Sequence, residues 1–120
     1  MNDACYCDYD PPEFYHQERR KARTTHRCEE CRKAILPGEQ YEHVRGKWIG
    51  NVNSFDTCCR CLALRDFVVA HVPCSCWAHG NMIDDVMQDA DAYWHEAPGL
   101  LFGAYRRQVL IQRGPAWEKA

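Results

Sequence analysis

Two C-x-x-C pairs constrain this chain more than any other feature of its sequence. Cys28 and Cys31 form the first pair, Cys58 and Cys61 form the second, and the 26 residues 32–57 separate them. This separation exceeds the ~15–20 residues of the commonest zinc-binding pattern, but it accommodates a β-hairpin. Four thiolates favour tetrahedral zinc over magnesium or calcium. We therefore expect a structural zinc site here, with an iron–sulfur cluster as the competing interpretation.

The other five cysteines suggest a second site of the same kind. They are Cys5, Cys7, Cys59, Cys74 and Cys76. Four of them form two C-x-C pairs, and His79 follows the second pair by three residues. Thiolates from Cys5, Cys7, Cys74 and Cys76 would complete a second tetrahedral zinc site, in which His79 is a candidate substitute ligand. The alternative is a set of partly buried free thiols, and Cys59 is the cysteine left over in either case.

Composition explains why such a chain would need metal. Leu, Ile, Val and Phe together account for 21 of 120 residues, which is below the fraction typical of a packed core. Ten Tyr and Trp residues and a net charge of −2 nevertheless argue against disorder. A structural zinc contributes roughly 10–16 kcal/mol of apparent binding free energy, comparable to the ~5–15 kcal/mol stability of an ordinary domain. Zinc is therefore the expected cofactor, with one site or two.

The N-terminal segment 1–7 has no basic region followed by an apolar one, so we predict no secretory signal and a cytoplasmic location. Cysteine clusters in a reducing cytoplasm bind metal more often than they form disulfides. No apolar run approaches the ~18 residues of a membrane span. We therefore expect no membrane association.

The pattern predicts a single α+β domain over residues 1–120, with a treble-clef-like arrangement of zinc knuckle, β-hairpin and helix. We expect an extended N-terminal strap over 1–18, a treble-clef core over 28–72 and a helical extension over 81–112. Pro37-Gly38 predicts a turn, and Gly46 a second turn between two short strands. Thr57 is the expected N-cap of a helix ending near His71. Further helices are expected over 81–96 and 100–112, followed by a loose tail.

Several segments resemble small zinc-binding proteins encoded by phages and prophages. These segments are Asp10-Pro-Pro-Glu-Phe-Tyr15, His26-Arg-Cys-Glu-Glu-Cys31, Ile35-Leu-Pro-Gly-Glu-Gln-Tyr41, Cys61-Leu-Ala-Leu-Arg-Asp66 and His71-Val-Pro-Cys-Ser-Cys-Trp-Ala-His-Gly80. The resemblance covers roughly residues 5–95. It implies a phage or prophage context rather than a particular biochemical activity. Small accessory phage proteins often bind and disable a host protein, including defence systems such as CRISPR effectors.

The sequence favours a protein without catalytic activity. Treble-clef HNH nucleases need a general-base histidine on the hairpin, beside an aspartate or a second histidine. Here the hairpin offers His43 alone, flanked by Glu42 and Val44. Sites closed by four cysteines leave no open zinc position for hydrolysis. An HNH-like nuclease is therefore the remote alternative, and we expect no small-molecule substrate.

Two oppositely charged segments are candidate partner-binding surfaces. The basic candidates are Arg19, Arg20, Lys21 and Arg23, within a run of seven basic residues over 19–33. The acidic candidates on the helix expected over 81–96 are Asp84, Asp85, Asp89 and Asp91. Our leading hypothesis is binding to a host protein or protein complex, with inhibition of a host defence or regulatory complex, as an anti-CRISPR-type inhibitor does. The alternative is a small regulator that contacts nucleic acid through the basic segment 19–33.

Overall fold

A computed structural model describes residues 12–118, which form an α+β fold of antiparallel sheets and three helices. The strands in chain order are β1 (Phe14–Lys21), β2 (His26–Arg27), β3 (Ala34–Ile35), β4 (Gln40–Trp48) and β5 (Asn51–Cys58). The helices are α1 (Cys59–His71), α2 (Met82–Tyr93) and α3 (Leu100–Gln112). The predicted α+β class is confirmed. No helix within residues 12–118 is long and apolar enough to cross a bilayer.

Strands β1, β4 and β5 form an antiparallel sheet in the order β1-β4-β5. The β4–β5 turn consists of Ile49 and Gly50, both with positive φ, of 50° and 80°. Two such residues match the twist of a tight hairpin. The turn expected at Gly46 is therefore wrong, because β4 continues through Gly46, which pairs with Asn53 of β5.

The alternation of side chains along β4 gives the sheet two different faces. Glu42 and Val44 are fully buried on one face, against which α1 packs. Arg45 and Lys47 project from the opposite face, and Arg45 is exposed. Because neighbouring strand residues point to opposite faces, the inner side of the sheet is apolar or paired and the outer side is charged.

Helix α1 lies at the centre of the core and packs on both α2 and α3. Leu64 and Val68 of α1 are fully buried with Val86 of α2. Gly103 of α3 faces Phe67 of α1 so closely that a Cβ there would lie 2.3 Å from the ring. The close approach of α1 and α3 therefore requires glycine at this position.

The helix boundaries follow the sequence closely, with two adjustments. Cys58 rather than Thr57 is the N-cap of α1, and its Sγ accepts a hydrogen bond from Cys61 N. Helix α2 ends at Tyr93, three residues before the predicted end, whereas α3 occupies the predicted 100–112.

Both ends of the described chain form backbone hydrogen bonds with the rest of the fold, whereas a strap and a loose tail were predicted. Residues 14–21 form strand β1, which pairs with β4 over its whole length, so residues 14–18 of the expected strap belong to an edge strand of the sheet. Residues 1–11 of the expected strap lie outside the described residues. In the tail, the carbonyl of Pro115 accepts a hydrogen bond of 2.9 Å from Ala34 N, which fastens this segment to β3.

Candidate metal centre

The four cysteines of the two C-x-x-C pairs converge on one point. Their Sγ atoms all lie within 4.8 Å of one another. Cys28 Sγ is 3.8 Å from Cys61 Sγ, and Cys31 Sγ is 3.7 Å from Cys58 Sγ. Zinc–sulfur bonds of ~2.3 Å in a tetrahedron place the sulfurs about 3.8 Å apart. The cluster is therefore compatible with one metal ion, and its spacing fits zinc.

Local structure explains the convergence. The first pair lies in a loop closed by strands β2 and β3, in which Cys28 N donates to Lys33 O (2.9 Å) and Arg32 N to Cys28 O (3.0 Å). The second pair spans the junction of β5 and α1, since Cys58 ends the strand and Cys61 lies in the first helical turn. Residues three apart on a helix share one side, which directs both sulfurs towards the loop.

Backbone amides surround the sulfurs. Cys28 Sγ accepts hydrogen bonds from Glu30 N (3.4 Å) and Cys58 N (3.3 Å). Four convergent sulfurs, three of them fully buried, form a closed structural type of site.

Glu30 connects this centre to α2. Its carboxylate accepts hydrogen bonds from Gly80 N (2.7 Å) and Met82 N (3.0 Å), so it caps a helix about 50 residues away in sequence. Burial raises the pKa of Glu30 although these amides oppose the shift. The side chain of Asn81, the residue directly before α2, makes no capping hydrogen bond. Sequence reasoning missed this contact because capping patterns are sought within a few residues.

The predicted second site is only partly within the described residues, because Cys5 and Cys7 lie outside them. Cys74 Sγ and Cys76 Sγ are 3.7 Å apart. This distance exceeds the ~2.05 Å of a disulfide, so the two sulfurs are not bonded to each other, but each of these cysteines is disulfide-bonded. The second zinc therefore stays a prediction.

His79, the candidate substitute ligand, belongs to an aromatic cluster. Its ring stacks on Phe55 at 4.9 Å between centroids, and its Nε2 lies 3.2 Å from Tyr15 Oη. Burial lowers the pKa of His79 and favours the neutral ring. Cys59 is half-buried outside the four-cysteine cluster, with its sulfur 3.8 Å from Arg60 Nη1.

The acidic candidates separate into two pairs. Asp85 accepts hydrogen bonds from Ala78 N and from the side chain of Asn81, both at 2.9 Å, and Asp89 accepts one of 2.7 Å from Ser75. These two carboxylates hold the segment before α2. The other two, Asp84 and Asp91, line a shallow surface depression that also includes Tyr105 and Gln108.

The basic candidates are divided by strand alternation. Arg19 points to the α1 side, where its Nη2 lies 3.2 Å from both carboxylate oxygens of Asp66. The other three basic side chains line one cavity of about 490 Å³ together with three further residues. The full lining is Arg20, Lys21, Arg23, Thr24, His26 and Tyr41. We call this the basic cavity.

His43 has a partner that the sequence did not reveal. Its Nδ1 lies 2.7 Å from Asp56 Oδ1 on the neighbouring strand, and His26 Nδ1 lies 3.7 Å from Asp56 Oδ2. The view of His43 as an isolated histidine is therefore wrong, because hairpin register places an aspartate beside it. Among residues 12–118, however, the four-cysteine cluster is the only group that meets the geometry of a metal site.

Comparisons with protein-family models, curated proteins and solved structures found no match. The resemblance to phage-encoded zinc-binding proteins stays a prediction.

Proposed function

We propose that this chain is a non-enzymatic, zinc-stabilised binding domain that contacts the phosphate backbone of nucleic acid through the basic cavity. The observation that carries this proposal is the convergence of Arg20, Lys21 and Arg23 on one cavity. Cationic side chains that neutralise phosphates supply most of the sequence-independent affinity for nucleic acid. His26 and Tyr41, whose rings stack at 4.9 Å, provide an aromatic wall in the same cavity.

The charge environment of the cavity supports this choice over the acidic surface. Lys21 and Arg23 are exposed, and within the described part of the chain neither forms an ion pair. Both are therefore available to phosphate oxygens. In contrast, Asp85 and Asp89 are occupied by hydrogen bonds to the segment before α2.

Zinc has a structural role in this proposal. The order of knuckle, hairpin and helix, with one cysteine pair at each end, supports the treble-clef assignment. The proposal of a second zinc at Cys5, Cys7, Cys74 and Cys76 rests on the spacing of the two C-x-C pairs alone, and this zinc would replace the disulfide bonding of Cys74 and Cys76. Purified protein should then contain close to two zincs per chain. Cys74→Ser/Cys76→Ser should reduce this to one, and an unchanged zinc content would refute the second site.

The nucleic-acid proposal is tested by fluorescence anisotropy with a labelled single-stranded oligonucleotide. Lys21→Ala/Arg23→Ala should weaken binding and reduce the slope of log affinity against log salt by about 1.4, since each lost phosphate contact contributes ~0.7. The matched control is Arg106→Ala/Arg113→Ala, which removes the same charge from α3 and its C-cap. Equal affinities and slopes for the two double variants would refute the proposal.

The second candidate function is the binding of a host protein. Helix α3 exposes large apolar side chains along one side: Phe102 (73%), Tyr105 (52%), Val109 (43%) and Leu110 (50%). The nearby depression with Asp84 and Asp91 adds a carboxylate rim. If the protein is encoded by a phage, this apolar side of α3 would dock on a host defence or regulatory complex. The carboxylates of Asp84 and Asp91 would favour a partner with a basic surface.

A CRISPR interference assay in cells separates the second candidate from the first. Phe102→Asp/Leu110→Asp should abolish inhibition of interference if α3 docks on an effector, whereas Lys21→Ala/Arg23→Ala should retain it. Interference that is unaffected by the unmodified protein would refute the anti-CRISPR form of this candidate. Interference equally inhibited by both variants would remove α3 from the docking surface.

The remote alternative, an HNH-like nuclease, is favoured by a single observation, the 2.7 Å contact of His43 with Asp56. A carboxylate that orients a histidine is typical of a general base. This alternative requires Mg²⁺- or Mn²⁺-dependent nicking that disappears in His43→Ala. Our proposal of a non-enzymatic protein requires that no nicking occurs above a metal-free control.

A further inference from the structure

A second cavity lies at the hairpin end of the sheet and differs from the basic cavity in chemistry. Its volume is about 360 Å³, and it is lined by Trp48, Ile49, Asn53, Phe55, Trp77, Ala78 and His79. We call it the aromatic cavity. Its lining contains no Asp, Glu, Lys or Arg side chain, so it offers flat aromatic surfaces and one amide but no formal charge to hold a phosphate or a free cation.

The rings of the aromatic cavity are held in place by their neighbours. Trp48 packs edge-to-face on Phe55 at 5.8 Å and 74°, and Phe55 stacks on His79 at 13°. Trp77 is backed by the guanidinium of Arg65, 5.0 Å from its ring centroid. The cavity walls are therefore preorganised, which reduces the entropy lost when a ligand binds.

Gly46 allows Trp48 to adopt this position. A Cβ on Gly46 would lie 2.5 Å and 2.7 Å from two atoms of the Trp48 ring, and 3.0 Å from the carbonyl of Phe14. Glycine inside a strand weakens pairing and marks a close approach. Gly46 therefore weakens the strand locally, but it leaves the space in which the Trp48 indole lies against β4.

Ile49 at the mouth of the cavity has an unusual conformation. Its φ is +50°, a left-handed value that is an outlier for a β-branched residue, and its side chain is 77% exposed. The first position of such a turn usually carries Asn, Asp or Gly. A strained residue kept at a cavity mouth points to a function there rather than to stability.

We infer that the aromatic cavity binds the base of an unpaired nucleotide, stacked on its aromatic rings and hydrogen-bonded along its edge by Asn53. Asn53 is exposed and offers both donor and acceptor groups, which match the mixed edges of nucleobases. Stacking of splayed-out bases on aromatic side chains is the general way in which proteins bind single strands. This inference rests on the proposed nucleic-acid function and adds a base-binding site to it.

The two cavities can be tested separately because they lie at different ends of β4. Tyr41 lines the basic cavity and Trp48 the aromatic cavity, and the seven residue steps from one to the other along the strand span about 24 Å. Substitutions in one cavity should not disturb the other directly.

The experiment compares single-stranded tetranucleotides that carry thymine or uracil with abasic tetramers that have the same phosphates. Because each stacked base contributes affinity, the base-bearing tetramers should bind roughly 5- to 150-fold more tightly than the abasic ones. DNA and RNA tetramers are measured side by side, and a gain for only one of them identifies the source of the base. The Trp48 and Trp77 indole N–H signals in NMR spectra should shift only with base-bearing tetramers.

Asn53→Ala should reduce the base-dependent gain roughly 2- to 12-fold, because one hydrogen bond to the edge of the base is lost. Gly46→Ala should remove most of the gain by displacing Trp48. The matched control is Ser54→Ala, which truncates an exposed polar side chain on the same strand, opposite Arg45 and outside the cavity lining. Zinc content and far-UV circular dichroism verify that each variant is folded, and Asn53→Ala carries the test if Gly46→Ala is not. Equal binding of base-bearing and abasic tetramers, or an unchanged gain in Asn53→Ala, would overturn the inference.

The measurements distinguish a failure of this inference from a failure of the proposed function. If Lys21→Ala/Arg23→Ala binds tetramers as well as the unmodified protein while Asn53→Ala reduces the base-dependent gain, the aromatic cavity is supported and the basic cavity is refuted. If the salt dependence follows Lys21 and Arg23 but no base-dependent gain exists, the opposite holds.

Discussion

Breaking the buried ion pair between Glu42 and Arg65 should destabilise the fold strongly. The Glu42 side chain is fully buried and that of Arg65 is 6% exposed. Two hydrogen bonds of 2.9 Å and 2.7 Å join them, and Gln17 Nε2 donates a third, of 2.6 Å, to Glu42. Glu42→Gln removes the negative charge but leaves the guanidinium in the same buried position.

The magnitude follows from the uncompensated charge that remains. Removal of one partner of a buried pair costs about 3–5 kcal/mol, because the surviving charge is still desolvated. For a chain of this length, 1 kcal/mol lowers Tm by roughly 3–5 °C, so we expect a fall of about 10–25 °C. The double variant Glu42→Leu/Arg65→Met removes both charges and should recover most or all of this loss.

The measurement is thermal and urea unfolding at pH 7, with zinc content verified for each variant. Lys47→Ala is the control, because the Lys47–Glu13 pair is exposed and its loss should cost at most about 1 kcal/mol. A cost below about 1 kcal/mol for Glu42→Gln, or a double variant as unstable as the single one, would refute this reasoning.

The same pair predicts the direction of a pH dependence. Burial alone raises the pKa of Glu42, but the hydrogen bond and charge of Arg65 and the hydrogen bond from Gln17 outweigh it, so the pKa lies below its ordinary value. A carboxyl group with a lowered folded-state pKa stabilises the fold above its unfolded pKa of about 4.3 and loses this contribution as pH falls through the folded value. The stability of the unmodified protein should therefore fall towards that of Glu42→Gln below about pH 4.5, because a protonated Glu42 no longer balances the charge of Arg65. Curves that stay parallel down to acid unfolding would contradict this assignment.

Three further predictions concern the metal, a helix contact and the hairpin turn. Removal of metal by a chelator should unfold the domain, because the lost ~10–16 kcal/mol equals or exceeds ordinary domain stability; a metal-free chain with an unchanged circular dichroism spectrum would contradict this. Gly103→Ala should cost about 1–3 kcal/mol in urea unfolding, because its Cβ would collide with Phe67, and Phe67→Leu should relieve part of this cost. Ile49→Asn should stabilise the protein by about 1 kcal/mol in the same assay, since Asn tolerates the left-handed conformation, and a loss of stability would show that Ile49 is not strained.

Local spacing was enough to predict the metal cluster and most helix boundaries. The two C-x-x-C pairs could be assigned to one metal site from the sequence. A zinc knuckle and the first turn of a helix each place both sulfurs of a pair on the same side of the backbone. Helix α3 occupies the predicted 100–112, since Pro98-Gly99 before it and Gly114-Pro115 after it limit the helix locally. These features depend on residues that are close together in the chain.

The contacts that could not be predicted join residues distant in sequence. Glu30 caps α2 from about 50 residues away, and Asp56 meets His43 only because the β4–β5 turn lies at Ile49-Gly50. An error of a few residues in the turn changes every cross-strand partner. Because the turn was expected at Gly46, neither the contact of His43 with Asp56 nor the position of Trp48 was predicted.

The sequence by itself determined which residues can bind metal and which segments carry charge. Only the tertiary structure decided what those charges face, because strand alternation sends Arg19 to Asp66 and its neighbour Arg20 to the basic cavity. The aromatic cavity is likewise a product of tertiary structure, since Trp48, Phe55 and Trp77 come from separate segments. Metal ligation depends on spacing within short motifs, whereas a binding surface depends on the register and packing of the whole sheet.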